Sequence, residues 1–259
     1  HTVTRRQRQM CIRDRVIDRG ITWIGPKPKS IKSMGNKDIA RELALNSNIP
    51  ICPGINNVHK LSDEQLKTKC EAIGYPLLVK SSAGGGGIGM SVVQNFKDLA
   101  SAIEKTSNLA AKSFGNGDIF IEKFITNARH IEIQVFGFGA KGSVHLFERD
   151  CSMQRRYQKI IEESPAPEVD RELINNMAQA AVKLSSDVKY EGAGTVEFIY
   201  DVQEMKYYFL EMNTRIQVEH PVTELVTNND LISMQINFAF NRKNKFLNQN
   251  KIKTYGHSI

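Results

Sequence analysis

Tyr75-Pro-Leu-Leu-Val-Lys80-Ser-Ser-Ala-Gly84-Gly-Gly-Gly87-Ile-Gly89-Met90-Ser-Val-Val93 is the densest signal in the chain. Two apolar runs of strand length enclose four consecutive glycines, Gly84 to Gly87, with another at Gly89. Glycines expose backbone N–H groups with no Cβ in the way, so such a loop can close on phosphate oxygens. Lys80, at the end of the incoming strand, can set an ammonium beside the same anion. A Walker loop needs Gly-Lys-Ser/Thr after the glycines and then a helix, whereas here the lysine precedes them. Gly84, Gly86 and Gly89 formally fit G-x-G-x-x-G, but the strand-like Met90-Ser-Val-Val follows where that fingerprint requires a helix. A flexible linker does not sit between two apolar strands. The pattern is therefore read as a hairpin whose glycine loop lies over a nucleotide's phosphates.

Outward from this hairpin, helical and strand patterns alternate after Ile21, punctuated at Gly25-Pro26, Pro50, Pro53-Gly54 and Gly74. Helices are predicted from Lys37 to about Leu45 and from Ser62 to Ile73, where Ser62 and Gln65 form a capping box and Gly74 ends the helix. Others run from Lys97 to about Lys112, from Asp170 to Asp187 and from Leu231 to Phe240. In the Asp170 helix, Leu173, Met177, Ala180, Ala181 and Leu184 share a face. Strands are predicted at Pro76–Lys80, Met90–Val93, Ile119–Lys123, His130–Phe136, Val144–Glu148, Thr195–Tyr200 and Tyr207–Met212. Ile131, Ile133 and Val135 face one way and His130, Glu132 and Gln134 the other. That polar face fits solvent or a site wall equally well. The order of elements implies an α+β architecture with antiparallel hairpins.

Thr195-Val-Glu197-Phe-Ile-Tyr200 and Tyr207-Tyr-Phe-Leu-Glu211-Met212 read as the two strands of one hairpin. A turn centred on Glu204 sets Glu197 opposite Glu211 on one face. Opposed carboxylates repel unless a cation lies between them, and oxygen ligands beside a phosphate flap suit Mg²⁺, with Asn213 as a further donor. Next, Arg215, Gln217 and Glu219 alternate in Asn213-Thr-Arg-Ile-Gln-Val-Glu-His-Pro-Val-Thr-Glu224. In extended chain they project to one side, where guanidinium, amide and carboxylate can hold a small planar oxyanion and take its proton. His220 is as readily structural as catalytic. The dense run from Glu148 to Lys159 fits a solvated basic face, or a segment bringing Gln154 and Lys159 to a phosphate.

The 259 residues, 41% hydrophobic and 24% charged, are an ordinary globular composition, which excludes disordered, collagen-like and disulfide-scaffold classes. No apolar run approaches the roughly 18 residues that span a bilayer, so no membrane association is expected and the sequence reads as soluble. The net charge is +7, but residues 1–15 carry +4 and residues 242–259 carry +5, leaving the interior at −2. A near-neutral body without alternating aromatic and basic residues argues against nucleic-acid binding. Cys11, Cys52, Cys70 and Cys151 form no C-x-x-C pair, come without a secretory signal and read as reduced thiols of an intracellular protein. The chain starts at His1, and residues 1–15 show no periodicity; they are read as foreign or disordered sequence.

Together these residues resemble the biotin carboxylases of the ATP-grasp superfamily. The resemblance runs from about Ile21 to the C-terminus. It rests on Ile24-Gly-Pro, Met34-Gly-Asn-Lys37, the Lys80 flap, Glu122-Lys123, Arg129-His-Ile-Glu-Ile-Gln-Val135, Arg149-Asp-Cys-Ser-Met-Gln-Arg-Arg156 and, most specifically, Glu211-Met-Asn-Thr-Arg-Ile-Gln-Val-Glu-His-Pro-Val-Thr-Glu224. Other ATP-grasp enzymes share the flap and the carboxylate pair but lack Arg-Ile-Gln-Val-Glu-His.

The resemblance implies an ATP-grasp fold with a small glycine-flap subdomain, 52–124, and a larger antiparallel-sheet subdomain, 125–259, cut short on its C-terminal side. Residues 16–51 would end the family's N-terminal domain and supply a linker helix. A second active-site arginine and much of the family's dimer contact would lie in the C-terminal region beyond. The implied activity is ATP- and bicarbonate-dependent carboxylation of biotin through carboxyphosphate. Lys37, Lys80 and Gly84, Gly85, Gly86 and Gly87 would hold phosphates. Glu122 with the backbone near Phe124 and Ile125 would read adenine, and His130 and Gln154 would touch the nucleotide. Tyr157 stands at another nucleotide position, where the family often has His. Glu197, Glu211 and Asn213 would bind Mg²⁺ or Mn²⁺. Lys159, Arg215, Gln217 and Val218 would seat bicarbonate, with Glu219 as its base and Arg215 and Lys159 sharing the catalysis. The implied partners are a biotin carboxyl carrier, a carboxyltransferase and, at full length, a second copy of the chain, in cytoplasm, mitochondrion or plastid. Another ATP-grasp ligase, such as a carbamoyl-phosphate synthase, and an ATP-binding remnant without turnover are the alternatives.

Overall fold

The two strand-rich stretches fold into two separate antiparallel sheets. The structure, a computed structural model, describes residues 5–82, 89–240 and 248–259, with the backbone alone for 5–10. Gly84 to Gly87 of the expected phosphate flap therefore lie outside the described residues. In chain order the elements are α1 (Arg5–Asp18), α2 (Pro28–Gly35), α3 (Lys37–Asn46), β1 (Gly54–Ile55), α4 (Asp63–Ile73), β2 (Leu77–Ser81), β3 (Met90–Val93), α5 (Leu99–Phe114), β4 (Ile119–Lys123), β5 (Ala128–Phe138), β6 (Ser143–Arg155), β7 (Gln158–Glu163), α6 (Arg171–Asp187), β8 (Glu191–Asp201), β9 (Lys206–Asn213), α7 (His220–Thr227) and α8 (Leu231–Ala239).

The small sheet has the order β1-β4-β2-β3. Its β2 and β3 pair from Leu77↔Val93 to Lys80↔Met90, as the apolar runs flanking the glycines imply. Leu77, Val79, Val93 and Ile121 pack with Leu66 and Cys70 of α4 and Leu99 of α5 into one core. The capping box of α4 forms, with the Ser62 side chain accepting from Gln65 N and the Gln65 side chain accepting from Ser62 N.

The large sheet has the order β7-β6-β5-β8-β9, and every neighbouring pair is antiparallel. One face carries Ile131, Ile133, Val135, Val196 and Phe198 and packs on α6 and α3. In α6 the buried stripe is Ile174, Met177, Ala178, Ala181 and Leu184, while Leu173 and Ala180, expected on that face, are only partly buried. Each fully buried Leu or Ile contributes about 1.5–3 kcal/mol, so this face fixes α6 on the sheet.

Pro50 to Gly54 joins the two sheets. The Phe209 amide of β9 donates to Pro50 O at 2.7 Å, and the Lys123 amide of β4 donates to Pro53 O at 2.8 Å. Gly54 then pairs with Glu122, so closely that a Cβ on Gly54 would stand 2.5 Å from Ile121 O.

Three helices were not legible in the periodicity. The first, α1, spans residues read as aperiodic, and its apolar residues are too few to mark a face. In α2 and α7, each eight residues long, a proline in the first turn presets the helical φ and removes an N–H that has no partner there.

Candidate active site

Strand register builds the centre of the site. Glu132 of β5 pairs with Arg149 of β6 on one side and Glu197 of β8 on the other, and Glu197 pairs with Glu211 of β9. Four strands thus set one cation and three carboxylates in a row across the face opposite the hydrophobic core. The last pairing depends on a bulge. Asp201 pairs with Lys206, so the turn centres between Gln203 and Glu204 and, continued unchanged, would oppose Glu197 to Leu210. Leu210 is instead the extra residue, which restores Glu197↔Glu211. The expected pair forms by this route rather than through a turn centred on Glu204.

Lys159 rises from β7 into the row. Its Nζ donates to Glu132 Oε2, to Glu197 Oε1 at 3.0 Å and to Glu219 Oε1 at 2.8 Å. Glu197 Oε1 also accepts from Asn213 Nδ2 at 2.7 Å and Gln217 Nε2 at 3.3 Å, while its Oε2 lies 3.1 Å from His130 Nε2. Burial alone would raise the Glu197 carboxyl, but the His130 ring and the Lys159 ammonium override it and hold it far below the usual carboxylate range. Burial likewise disfavours charge on His130, and Glu197 reverses that, raising the ring above its ordinary value. Gln154 Nε2 donates to Cys151 O at 2.7 Å and lies 2.9 Å from His130 Nδ1. In the neutral ring Nδ1 therefore accepts and Nε2–H faces Glu197. Lys159 is pushed down by burial but driven well above the ordinary lysine value by Glu132 and Glu197, so it stays an ammonium.

A second buried charge cluster sits on the small sheet. Lys80 pairs with Glu122 Oε1, and Arg41 Nη1 of α3 donates to Glu122 Oε2 at 3.3 Å. The same guanidinium donates to Cys52 O at 3.0 Å and lies 5.4 Å from the centre of the Phe120 ring. The expected nucleotide residues Lys80 and Glu122 thus meet in one place. Beyond them, Phe124 N donates to Pro76 O at 3.0 Å, and half-buried Ile125 leads into β5. Lys37 opens α3, whose N-cap Asn36 accepts from Ile39 N.

The remaining expected residues fall in different places. His130, Gln154, Lys159, Glu197, Asn213, Gln217 and Glu219 share the network on the large sheet. Arg156 and Tyr157 form the two-residue tip of the β6–β7 hairpin, both at positive φ, and the Tyr157 side chain is exposed. It is not brought to the cluster. The extended-chain reading of Arg215, Gln217 and Glu219 is corrected, because β9 ends at Asn213 and Glu219 becomes the N-cap of α7. In this irregular loop Gln217 is buried, Val218 is 84% exposed and Arg215 Nη1 turns back to Ile216 O at 3.1 Å. Arg149, Gln134, Thr195 and Thr223 were given no role from sequence. They are buried in the network, with Arg149 donating to Glu132, Gln134 and Thr223. Their signal was the polar side of the β5 alternation, which only strand register could extend to β6 and β8.

The donor set suits a hard divalent cation. Glu197 and Glu211 are opposed with Asn213 two residues on, which supplies oxygen ligands of the kind magnesium takes. Ligand atoms of His130, Glu132 and Glu197 lie within 4.8 Å of one another, but Arg149 and Lys159 already hold Glu132. Glu211 and Asn213 are therefore the better companions for Glu197.

Residues 36–246 match the family model described as the carbamoyl-phosphate synthase L chain, ATP binding domain. Biotin carboxylase 1 of Bacillus subtilis is 50% identical over 219 residues, 85% of this chain and 48% of that protein. A biotin carboxylase–βγ-ATP complex from Campylobacter jejuni superposes with a TM-score of 0.88 at 39% identity, covering 96% of this chain and 55% of that one. The biotin carboxylase domain dimer of Hydrogenobacter thermophilus 2-oxoglutarate carboxylase, in complex with MgADP, ADP and bicarbonate, gives 0.87 at 40% identity, covering 96% and 54%. The chain spans about half the length of these relatives. Its α+β architecture is the ATP-grasp fold.

Proposed function

We propose that this chain, which belongs to the carbamoyl-phosphate synthase L chain, ATP binding domain family and within it to the biotin carboxylases, carries the ATP- and bicarbonate-handling core of a biotin carboxylase. The observation that carries the reading is the junction of Lys159 with Glu132, Glu197 and Glu219, one ammonium held by three carboxylates beside the Glu197–Glu211 pair. With a divalent cation offsetting the excess of carboxylates, such a cluster can seat a small oxyanion beside a triphosphate and remove its proton.

In this reading Lys80, with Lys37 and Gly84 to Gly87, holds the phosphates, and Glu122 with the backbone at Phe124 and Ile125 receives adenine. His130 and Gln154 line the nucleotide, while Tyr157 stays at the exposed tip of the β6–β7 hairpin. Glu197, Glu211 and Asn213 would hold Mg²⁺ or Mn²⁺, which when bound neutralises phosphate charge. Arg215, Gln217, Val218 and Lys159 seat bicarbonate. Glu219 takes its proton as a bicarbonate oxygen attacks the γ-phosphorus and the bond to ADP breaks. The carboxyphosphate so formed splits into CO₂ and phosphate. The phosphate accepts the ureido proton of biotin, and the ureido nitrogen attacks CO₂. The partners would be a biotin carboxyl carrier, a carboxyltransferase and a second copy of the chain, in an intracellular compartment. Among the described residues no helix is long and apolar enough to cross a membrane.

The test is ADP release from Mg-ATP with and without bicarbonate and free biotin, on this chain and on a version extended at both ends to the length of its relatives. Stimulation by both in the extended version supports the reading. ATP binding without any bicarbonate response overturns it in favour of a nucleotide-binding remnant.

A further inference from the structure

Arg149 is 0% exposed, and its guanidinium reaches four separate segments. Nε donates to Glu132 Oε1 at 2.6 Å, and Nη1 donates to Gln134 Oε1 at 2.8 Å and to Thr223 Oγ1 at 2.7 Å. Nη2 reaches Thr195 Oγ1 at 3.4 Å and Gln217 Oε1 at 3.5 Å. These acceptors belong to β5, β8, the loop after β9, and α7. A planar fork can serve so many directions at once; a lysine ammonium, a single point of charge, cannot.

What these bonds surround is Glu219. Gln217 lies two residues before it and Thr223 four residues after it, and Arg149 holds both. The stretch from the end of β9 to the start of α7 has no strand pairing to fix it. The Glu219 carboxylate is bonded to Lys159, Lys159 to Glu132, and Glu132 to Arg149. Both flanks of Glu219 and its ammonium partner are thus tied to one buried guanidinium that has no exposed surface with which to meet a substrate.

We propose that Arg149 is a positioning residue for the bicarbonate step, setting Gln217, Lys159 and the start of α7 so that Glu219 meets the anion in one geometry. The inference rests on the bicarbonate reading above and adds to it the residue that organises the seat. A purely structural arginine would, on mutation, weaken the two substrates alike. A positioning residue separates them, because Arg149 bonds Gln217 directly and reaches Lys159 through Glu132, whereas Lys80 and Glu122 belong to the other sheet.

The test measures KM for bicarbonate and Kd for Mg-ATP in the extended protein for Arg149→Lys and Thr223→Val. Arg149→Lys keeps the charge and loses the fork; Thr223→Val keeps the shape and loses one acceptor. KM for bicarbonate is expected to rise about tenfold or more in the first and about threefold in the second, with Mg-ATP affinity within about twofold of the parent. If Arg149→Lys does not fold, Thr223→Val decides alone. Unchanged bicarbonate KM in a folded variant, or equal weakening of both substrates, overturns the inference and leaves the function standing. A parent protein with no bicarbonate response removes the functional reading, and the inference falls with it.

Discussion

The two sheets each bury a charge cluster, and the clusters have opposite imbalances. On the small sheet Lys80 and Arg41 share the single carboxylate of Glu122. On the large sheet Glu132, Glu197 and Glu219 gather round Lys159, Glu211 pairs opposite Glu197, and Arg149 and the His130 ring add positive charge. Buried charge is costly unless compensated, so each imbalance marks what is to be added: an anion at the first cluster, a cation at the second. A metal–nucleotide complex brings both, and Pro50 to Gly54, bonded to β9 at one end and β4 at the other, holds the two halves together.

The strongest way to separate the sheets is Glu219→Gln. It should cut bicarbonate-dependent ADP release by about 10²–10⁴-fold while Mg-ATP affinity, read by calorimetry, stays nearly constant. The mirror experiment is Lys80→Met on the small sheet. There Mg-ATP affinity should fall about 30-fold, the low end of the cost of truncating one partner of a buried charge pair, with KM for bicarbonate unchanged. Equal effects of the two variants on both substrates would erase the division of labour.

Weaker effects sharpen the comparison. Gly54→Ala forces a Cβ toward Ile121 O where the linker joins the small sheet. It should lower stability by about 1–3 kcal/mol in urea unfolding, a close-packing cost. The smallest effect is chemical. Cys11 is exposed, whereas burial pushes the Cys52 thiol up to about 12, and burial also raises Cys70 and Cys151. A raised thiol pKa removes thiolate below it, so at pH 8 only about one part in ten thousand of Cys52 is reactive. Mass spectrometry after iodoacetamide should find Cys11 labelled and the other three protected until the chain unfolds.

Local signals carried much of this. The flanks of the glycine loop, the Ser62–Gln65 cap and the alternation of β5 are decided by neighbours in sequence, and each was readable from them. Glu197 opposite Glu211 was readable only in outcome, since the bulge at Leu210 leaves no mark in composition. The roles of Glu132 and Arg149 were hidden because they depend on the β5–β6 register, shifted by a bulge between Ile133 and Val135, and on the pairing of β5 with the distant β8. The Arg215–Glu219 loop defeated period counting altogether. Alternating residues predict one face only in extended chain, and here the extension ends with β9 at Asn213, before the first of the three.

The most direct measurement is calorimetric titration of ATP, with and without Mg²⁺, into the parent chain, Lys80→Met and Glu211→Gln. Lys80→Met should weaken ATP and Mg-ATP by the same factor, because the anion loses its ammonium and the cation keeps its oxygens. Glu211→Gln should leave metal-free ATP binding unchanged and abolish the gain from Mg²⁺. A Glu211→Gln chain that still gains from Mg²⁺ as the parent does would contradict the assignment of the large sheet as the cation's side.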